Sequence, residues 1–151
     1  MARQFTPVLV PEPMNQPPFV AQIDQVGASE LRGTVRTHRV SVDRPTAKGG
    51  TDCGPLGGEY LLVSLGGCFL SNLLAAARTR GVELSGTRVV VTGTTAESPP
   101  RFSAIGLRVS AALEDGELLR KLLTIAEHAC LVTNTLKAAL PISVSVEGDE
   151  R

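Results

Sequence analysis

The chain has 151 residues and 15.9 kDa, with 15 basic and 15 acidic side chains that cancel, 42% apolar and 20% charged residues. That length and balance predict one folded domain or one protomer of a small oligomer and exclude a disordered chain. Zero net charge argues against a nucleic-acid partner, which needs a basic stripe, and no uninterrupted apolar run reaches the ~18 residues that would predict a membrane partner.

The start, MARQFTPVLVPEP, lacks the continuous apolar stretch of a secretory signal, so the expected location is cytoplasmic. Five prolines between Pro7 and Pro18 predict an extended arm over 1–18, followed by a single domain over 19–151. FVAQIDQV and LRGTVRTHRVSV read as short strands, with Val35, His38, Val40 and Val42 directed inward. DRPTAKGGTDCGPLGG is a loop punctuated by glycine and proline. EYLLVSLGGCFLSNLLAAARTRG predicts a long helix, apolar on most sides and hence buried, ending at Gly81 after two basic residues of its last turn. TRVVVTGTTAE and RFSAIGLRVSAAL predict a hairpin across SPP. Asp115 is placed to cap a second helix running to Leu140, and ISVSVEG alternates as a last strand. The order β-β-β-α-β-β-α-β defines an α+β fold with a mostly antiparallel sheet around two long central helices, not a doubly wound nucleotide fold.

Three cysteines, an odd number without a CxxC pair, make neither a disulfide framework nor a zinc site. Cys68 follows Gly66 and Gly67 inside the first helix, where two glycines cost about 2 kcal/mol relative to alanine, which predicts a close approach of another backbone or of a substrate. Cys130 sits in the second helix. The ordinary state of either cysteine alone is buried and inert. What distinguishes them is small polar company on the same helix face: Ser64 and Asn72 beside Cys68, Glu127 and Asn134 beside Cys130. Cys53 in the loop reads as a bystander thiol, and His38 and His128 as structural or surface residues. No spacing of ligands suggests a metal.

GGTDCGPLGGEYLLVSLGGC before the first helical cysteine and AEHACLVTNTLKAALPISVSV around the second resemble the OsmC/Ohr family of thiol-dependent hydroperoxide reductases, in particular its OsmC-like branch. The VDRP stretch and the 62-residue separation of the two cysteines belong to the same resemblance, which spans about Val35 to Val146. It implies an intertwined homodimer with sites at the subunit interface, a peroxidatic Cys68, a resolving Cys130, an external dithiol reductant and no cofactor. It implies a hydroperoxide as substrate, and an apolar pocket lined by Leu65, Phe69 and Leu131 predicts alkyl or lipid hydroperoxides. The chemistry requires a thiolate nucleophile and a resolving thiol whose Cα lies within ~7 Å.

The family also implies an arginine from the N-terminal strands and a first-turn glutamate beside the reactive cysteine. Arg32 and Arg39 are the leading arginine candidates, with Arg36 and Arg44 behind them. The glutamate candidate is Glu59, nine residues before Cys68, although the family's usual carboxylate position, ten before, holds Gly58. In a continuous helix nine residues rotate the side chain about 180° from the cysteine, so Glu59 suits the helix N-terminus better than the site. The departure at Gly58 keeps open an alternative: a protein of this fold that senses redox state or binds a small molecule without efficient peroxidase activity.

Overall fold

In the computed structural model of the chain, residues 17–138 are described. The expected strand at 142–148 and most of the expected arm lie outside them. The elements are β1 (Gln22–Gln25), β2 (Leu31–Val35), β3 (His38–Val42), α1 (Gly57–Thr79), β4 (Arg88–Glu97), β5 (Pro100–Ser110), α2 (Gly116–Ala129) and α3 (Leu131–Ala138). This is the expected α+β class with antiparallel pairing. The chain groups into two compact units that divide between Pro55 and Leu56.

The N-terminal unit is a three-stranded meander in the order β1-β2-β3. Its register places Val35 opposite His38, Gly33 opposite Val40 and Leu31 opposite Val42, so the residues predicted to point inward do share one sheet face. That face is open in the single chain: Val35, His38 and Val40 are exposed and Val42 is half-buried. Arg32 and Arg39 lie on the opposite face, each one a cross-strand neighbour of a hydroxyl residue, Ser41 and Thr34.

Asp43 organises the glycine loop that follows. Its carboxylate, 2% exposed, accepts from the amides of Arg44 (2.7 Å), Thr51 (3.0 Å) and Cys53 (3.3 Å) and from the Thr51 hydroxyl (2.6 Å). The Thr51 hydroxyl bond, with further donation from Ser29 and the Arg44 and Thr51 amides, outweighs burial and holds its pKa far below the usual carboxylate range. The loop closes tightly enough that a Cβ on Gly54 would stand 2.4 Å from the Ser41 carbonyl oxygen.

The C-terminal unit is built on α1. Leu65, Phe69, Leu73, Ala76 and Ala77 recur at helical spacing and bury one stripe against Leu122, Ala126 and Cys130, four residues apart each time. Full burial of each large side chain contributes about 1.5–3 kcal/mol. The opposite side of α1 is open, with Val63 62% exposed and Ser64, Gly67 and Ser71 beside it. The expectation of burial on most sides therefore fails for the single chain: its apolar residues exceed what α2, α3 and β4 cover. By length and composition alone α1 would pass for a membrane span, but its buried stripe packs on those elements as a core helix does.

α1 ends as predicted. Gly81, at φ 68°, donates to Arg78 O while Val82 donates to Ala77 O, the paired bonds of a Schellman motif. β4 and β5 form a ten-pair hairpin turned by Ser98 and Pro99, with a bulge at Thr94/Thr95. Phe102 lies across Gly93, where a Cβ would stand 2.5 Å from its ring. Asp115 caps α2 as expected, accepting from Glu117 N (3.0 Å) and Leu118 N (2.9 Å).

The second long helix is two helices. Cys130 leaves the α region at φ −78° and ψ 108°, and α3 starts afresh with Asn134 N donating to Cys130 O at 3.0 Å. The Asn134 side chain satisfies the His128 carbonyl at 2.9 Å across the break. Val132, Thr133 and Thr135, three β-branched residues of modest helix propensity, follow the break, and the core burial of Cys130 favours the bend.

Candidate functional site

The break at Cys130 decides the surroundings of its sulfur. Cys130 is fully buried and occupies the N-cap of α3, where the first amides of a helix have no intrahelical acceptor. Its Sγ takes the place of a capping oxygen and accepts from Thr133 N at 3.4 Å. The Thr133 hydroxyl is buried and has no hydrogen-bond partner among the described residues. Burial opposes a charge here, but the amides at the start of α3, Thr133 N foremost, and the polar surroundings outweigh it and lower the Cys130 pKa.

Cys68 is half-buried in the middle of α1, where every backbone amide is used by the helix. Asn72 reaches back to it, donating to the Cys68 carbonyl at 2.8 Å and more distantly to Sγ at 3.8 Å. Cys68 packs against the buried cluster to which Cys130 belongs. All three cysteines are free.

Of the polar residues expected beside the thiols, only Asn72 touches a sulfur. Ser64 is exposed. Glu127 and Asn134 would flank Cys130 in one continuous helix, but the bend removes that phase. Glu127 pairs with Lys137 of α3, a hydrogen bond that lowers the Glu127 pKa, and Asn134 serves the His128 carbonyl. Thr133 was not legible as a site residue, because its role exists only once α3 begins at 131.

Glu59 is the N3 residue of α1, and its Oε2 accepts from Leu56 N at 2.8 Å. This is the helix-terminus role expected from its angle to Cys68. A Cβ on Gly58 would touch the Phe102 ring at 3.7 Å. Arg32 and Arg39 are exposed residues of the N-terminal unit. Cys53 is exposed as a residue, but removal of its sulfur from water and donation to Asp43 push its pKa up. A protonated thiol of this kind is a poor nucleophile, in keeping with a bystander.

A groove of about 770 Å³ runs between α1, β5, α2 and α3. Leu65 and Phe69 line it as expected, together with Leu61, Phe102, Leu107 and Leu136. Leu131 does not: as the first residue of α3 it points to solvent, 60% exposed, and Leu136 takes the place assigned to it. Thr133 belongs both to the groove wall and to the shell of the Cys130 sulfur, and Glu127 and Lys137 form a polar end. Among the described residues, no three His, Cys, Asp or Glu side chains converge as a metal site requires.

Comparison with known proteins follows the same lines. No curated protein sequence matches the chain. A putative osmotic stress induced and detoxification response protein from Psychrobacter arcticus has a similar structure, with a TM-score of 0.70 and 20% identity over 83% of this chain and 91% of that one. An organic hydroperoxide resistance protein OsmC from Legionella pneumophila gives 0.61 at 14% identity, covering 80% of this chain and 90% of that one. The organic hydroperoxide resistance protein OhrB of Bacillus subtilis gives 0.54 at 21% identity, covering 77% and 89%. The family model described as OsmC-like protein matches residues 49–145, which include both helical cysteines, α1, the β4–β5 hairpin and the α2–α3 bend, and the chain therefore belongs to the OsmC-like protein family.

Proposed function

We propose that the protein is a cysteine-based peroxidase that reduces organic hydroperoxides, alkyl or lipid. The observation that carries this reading is that Cys68 packs against the buried cluster containing Cys130, while their neighbours Phe69 and Thr133 line an apolar groove. Family membership and the hydroperoxide resistance proteins of similar fold support it. Cys68, the more exposed thiol, attacks the terminal peroxide oxygen; the O–O bond breaks, the alcohol leaves, and Cys68 becomes a sulfenic acid. Cys130 then attacks the Cys68 sulfur, expels the sulfenic oxygen as hydroxide or water, and closes a disulfide. An external dithiol returns both sulfurs to the reduced state, and no cofactor takes part. The apolar lining favours an alkyl chain over hydrogen peroxide.

The working unit in this proposal is a cytoplasmic homodimer. The open side of α1 around Val63 and the open valine face of the N-terminal sheet are surfaces that a second copy would cover. Arg32 or Arg39 would supply positive charge to the site in that assembly. A second reading, a redox sensor or small-molecule binder of the same fold, is favoured by Gly58 and by the engagement of Glu59 at the helix cap.

The deciding experiment is the intact mass of the reduced protein after one equivalent of cumene hydroperoxide, followed by peptide mapping. A loss of two hydrogens located to Cys68 and Cys130, reversed by a dithiol and absent in Cys68→Ser, is the expected result. Unmodified thiols in folded protein overturn the peroxidase reading in favour of the second one.

A further inference from the structure

The β4–β5 hairpin turns one ring inward that the alternation of β5 would turn outward. Ile105, Leu107 and Val109 line the groove from the inner face of β5, so strict alternation would bring Ser103 to that face and send Phe102 to the other. The bulge at Thr94/Thr95 changes the phase: Thr94 pairs with Ala104 and Thr95 with Phe102, which leaves Ser103 as the extra residue. The Ser103 hydroxyl donates to Thr94 O at 3.2 Å and fixes it there, and Phe102 joins the inner face, half-buried.

Two glycines receive the ring. A Cβ on Gly93 would stand 2.5 Å from Phe102 Cε1 and 2.7 Å from Cδ1, so the ring lies directly on the β4 backbone. A Cβ on Gly58 would stand 3.7 Å from Cζ and 3.9 Å from Cε2, so the far edge of the ring reaches the first turn of α1. Gly58 precedes Leu61, Leu65 and Phe69 at helical spacing, on the α1 face that lines the groove. Leu61 and Phe102 are the first lining residues of the α1 and β5 walls, and the ring joins hairpin to helix at that end. We propose that Phe102 is a specificity-determining residue: its ring closes the groove beside the start of α1 and sets the longest straight alkyl chain that the groove takes.

Within the peroxidase reading, on which it rests, this limit narrows the substrate to straight-chain alkyl hydroperoxides whose tail ends against the ring. A methylene moved from water into an apolar lining strengthens binding about fourfold. The gain continues only while each added methylene finds lining to touch, so affinity climbs with chain length and stops at the ring. A longer tail cannot push Phe102 aside toward β4, because the Gly93 backbone already fills that side. A groove open at this end would show no such stop.

The test is equilibrium dialysis of the intact chain against straight-chain primary alcohols from butanol to decanol, the reduction products of the corresponding hydroperoxides. Affinity is expected to rise about fourfold per methylene and then to level off at one chain length. Phe102→Ala should move that plateau to longer chains, and Phe102→Leu should move it less far in the same direction. Gly93→Ala, whose methyl group displaces the ring from β4 into the groove, should move it to shorter ones. A plateau unmoved in a folded Phe102 variant overturns the assignment, as do affinities lowered equally at every length or an absence of binding. Phe102→Leu carries the same reading where the alanine variant fails to fold. Because the alcohols need no thiol chemistry, the two proposals fail separately. A plateau that moves in a protein that leaves cumene hydroperoxide intact defeats only the peroxidase, and turnover with a plateau indifferent to Phe102 defeats only this assignment.

Discussion

A Cβ added to Gly66 would stand 2.9 Å from Val91 Cγ2 on β4, whereas one added to the adjacent Gly67 would meet nothing within 4 Å among the described residues. The pair of glycines before Cys68 thus has two different physical meanings. At Gly66 the helix approaches the hairpin so closely that only hydrogen fits, and Val91, stiff at χ1, cannot swing away. At Gly67 the helix bears the propensity cost without any contact in the single chain that demands it.

Opposite signs are therefore expected from two alanine substitutions in denaturant unfolding. Gly66→Ala should lose about 1 kcal/mol net, since overpacking of about 1–3 kcal/mol exceeds the propensity gain of about 1 kcal/mol. Gly67→Ala should gain up to about 1 kcal/mol. A loss at Gly67 would show that a neighbouring copy covers that side of α1.

The loop clamp at Asp43 makes an acid-sensitive element. Its folded pKa is lowered, so its contribution is complete above the unfolded carboxylate value of ~3.9 and declines as pH falls through that value toward the folded one. Limited proteolysis of the 44–54 loop should accelerate over that acid window in the native protein. In Asp43→Asn it should already be fast at neutral pH; equal protection of the two proteins at neutral pH would contradict the clamp.

Capping of α2 is the plainest local prediction. Asp115→Ala removes acceptors for Glu117 N and Leu118 N and should cost about 1 kcal/mol, with Asp115→Ser recovering most of it. Thermal melts of the three proteins measure this, and an unchanged melting temperature in the alanine variant refutes it.

Groove residues should separate by position rather than by hydrophobicity. Leu136→Ser places a hydroxyl in the apolar lining and is expected to lower kcat/KM for cumene hydroperoxide about tenfold, while Leu131→Ser, on the exposed start of α3, should change it less than twofold. Equal effects would mean that substrate does not use this groove.

Short-range pattern and residue chemistry account for one part of this molecule. Pattern gives the helix from residue 59, two residues inside its actual start, to its glycine stop at Gly81, the hairpin across Ser98 and Pro99, the cap at Asp115, the α+β class, and the two helical cysteines as the groups to watch. Glu59 belongs here too, since helical geometry alone assigned it to the helix terminus. Tertiary structure decided what requires elements to meet. Cys130 bends the second helix because core burial outweighs the continuation of a helical pattern that sequence reads as unbroken. That bend moves Leu131 to solvent, brings Leu136 and Thr133 to the groove, and turns Glu127 and Asn134 away from the sulfur. The same bend gives Cys130 the free amides of a new helix, while Cys68 keeps the spent backbone of a helix interior. Periodicity cannot distinguish two cysteines on helices; only the end of one helix against the middle of another does.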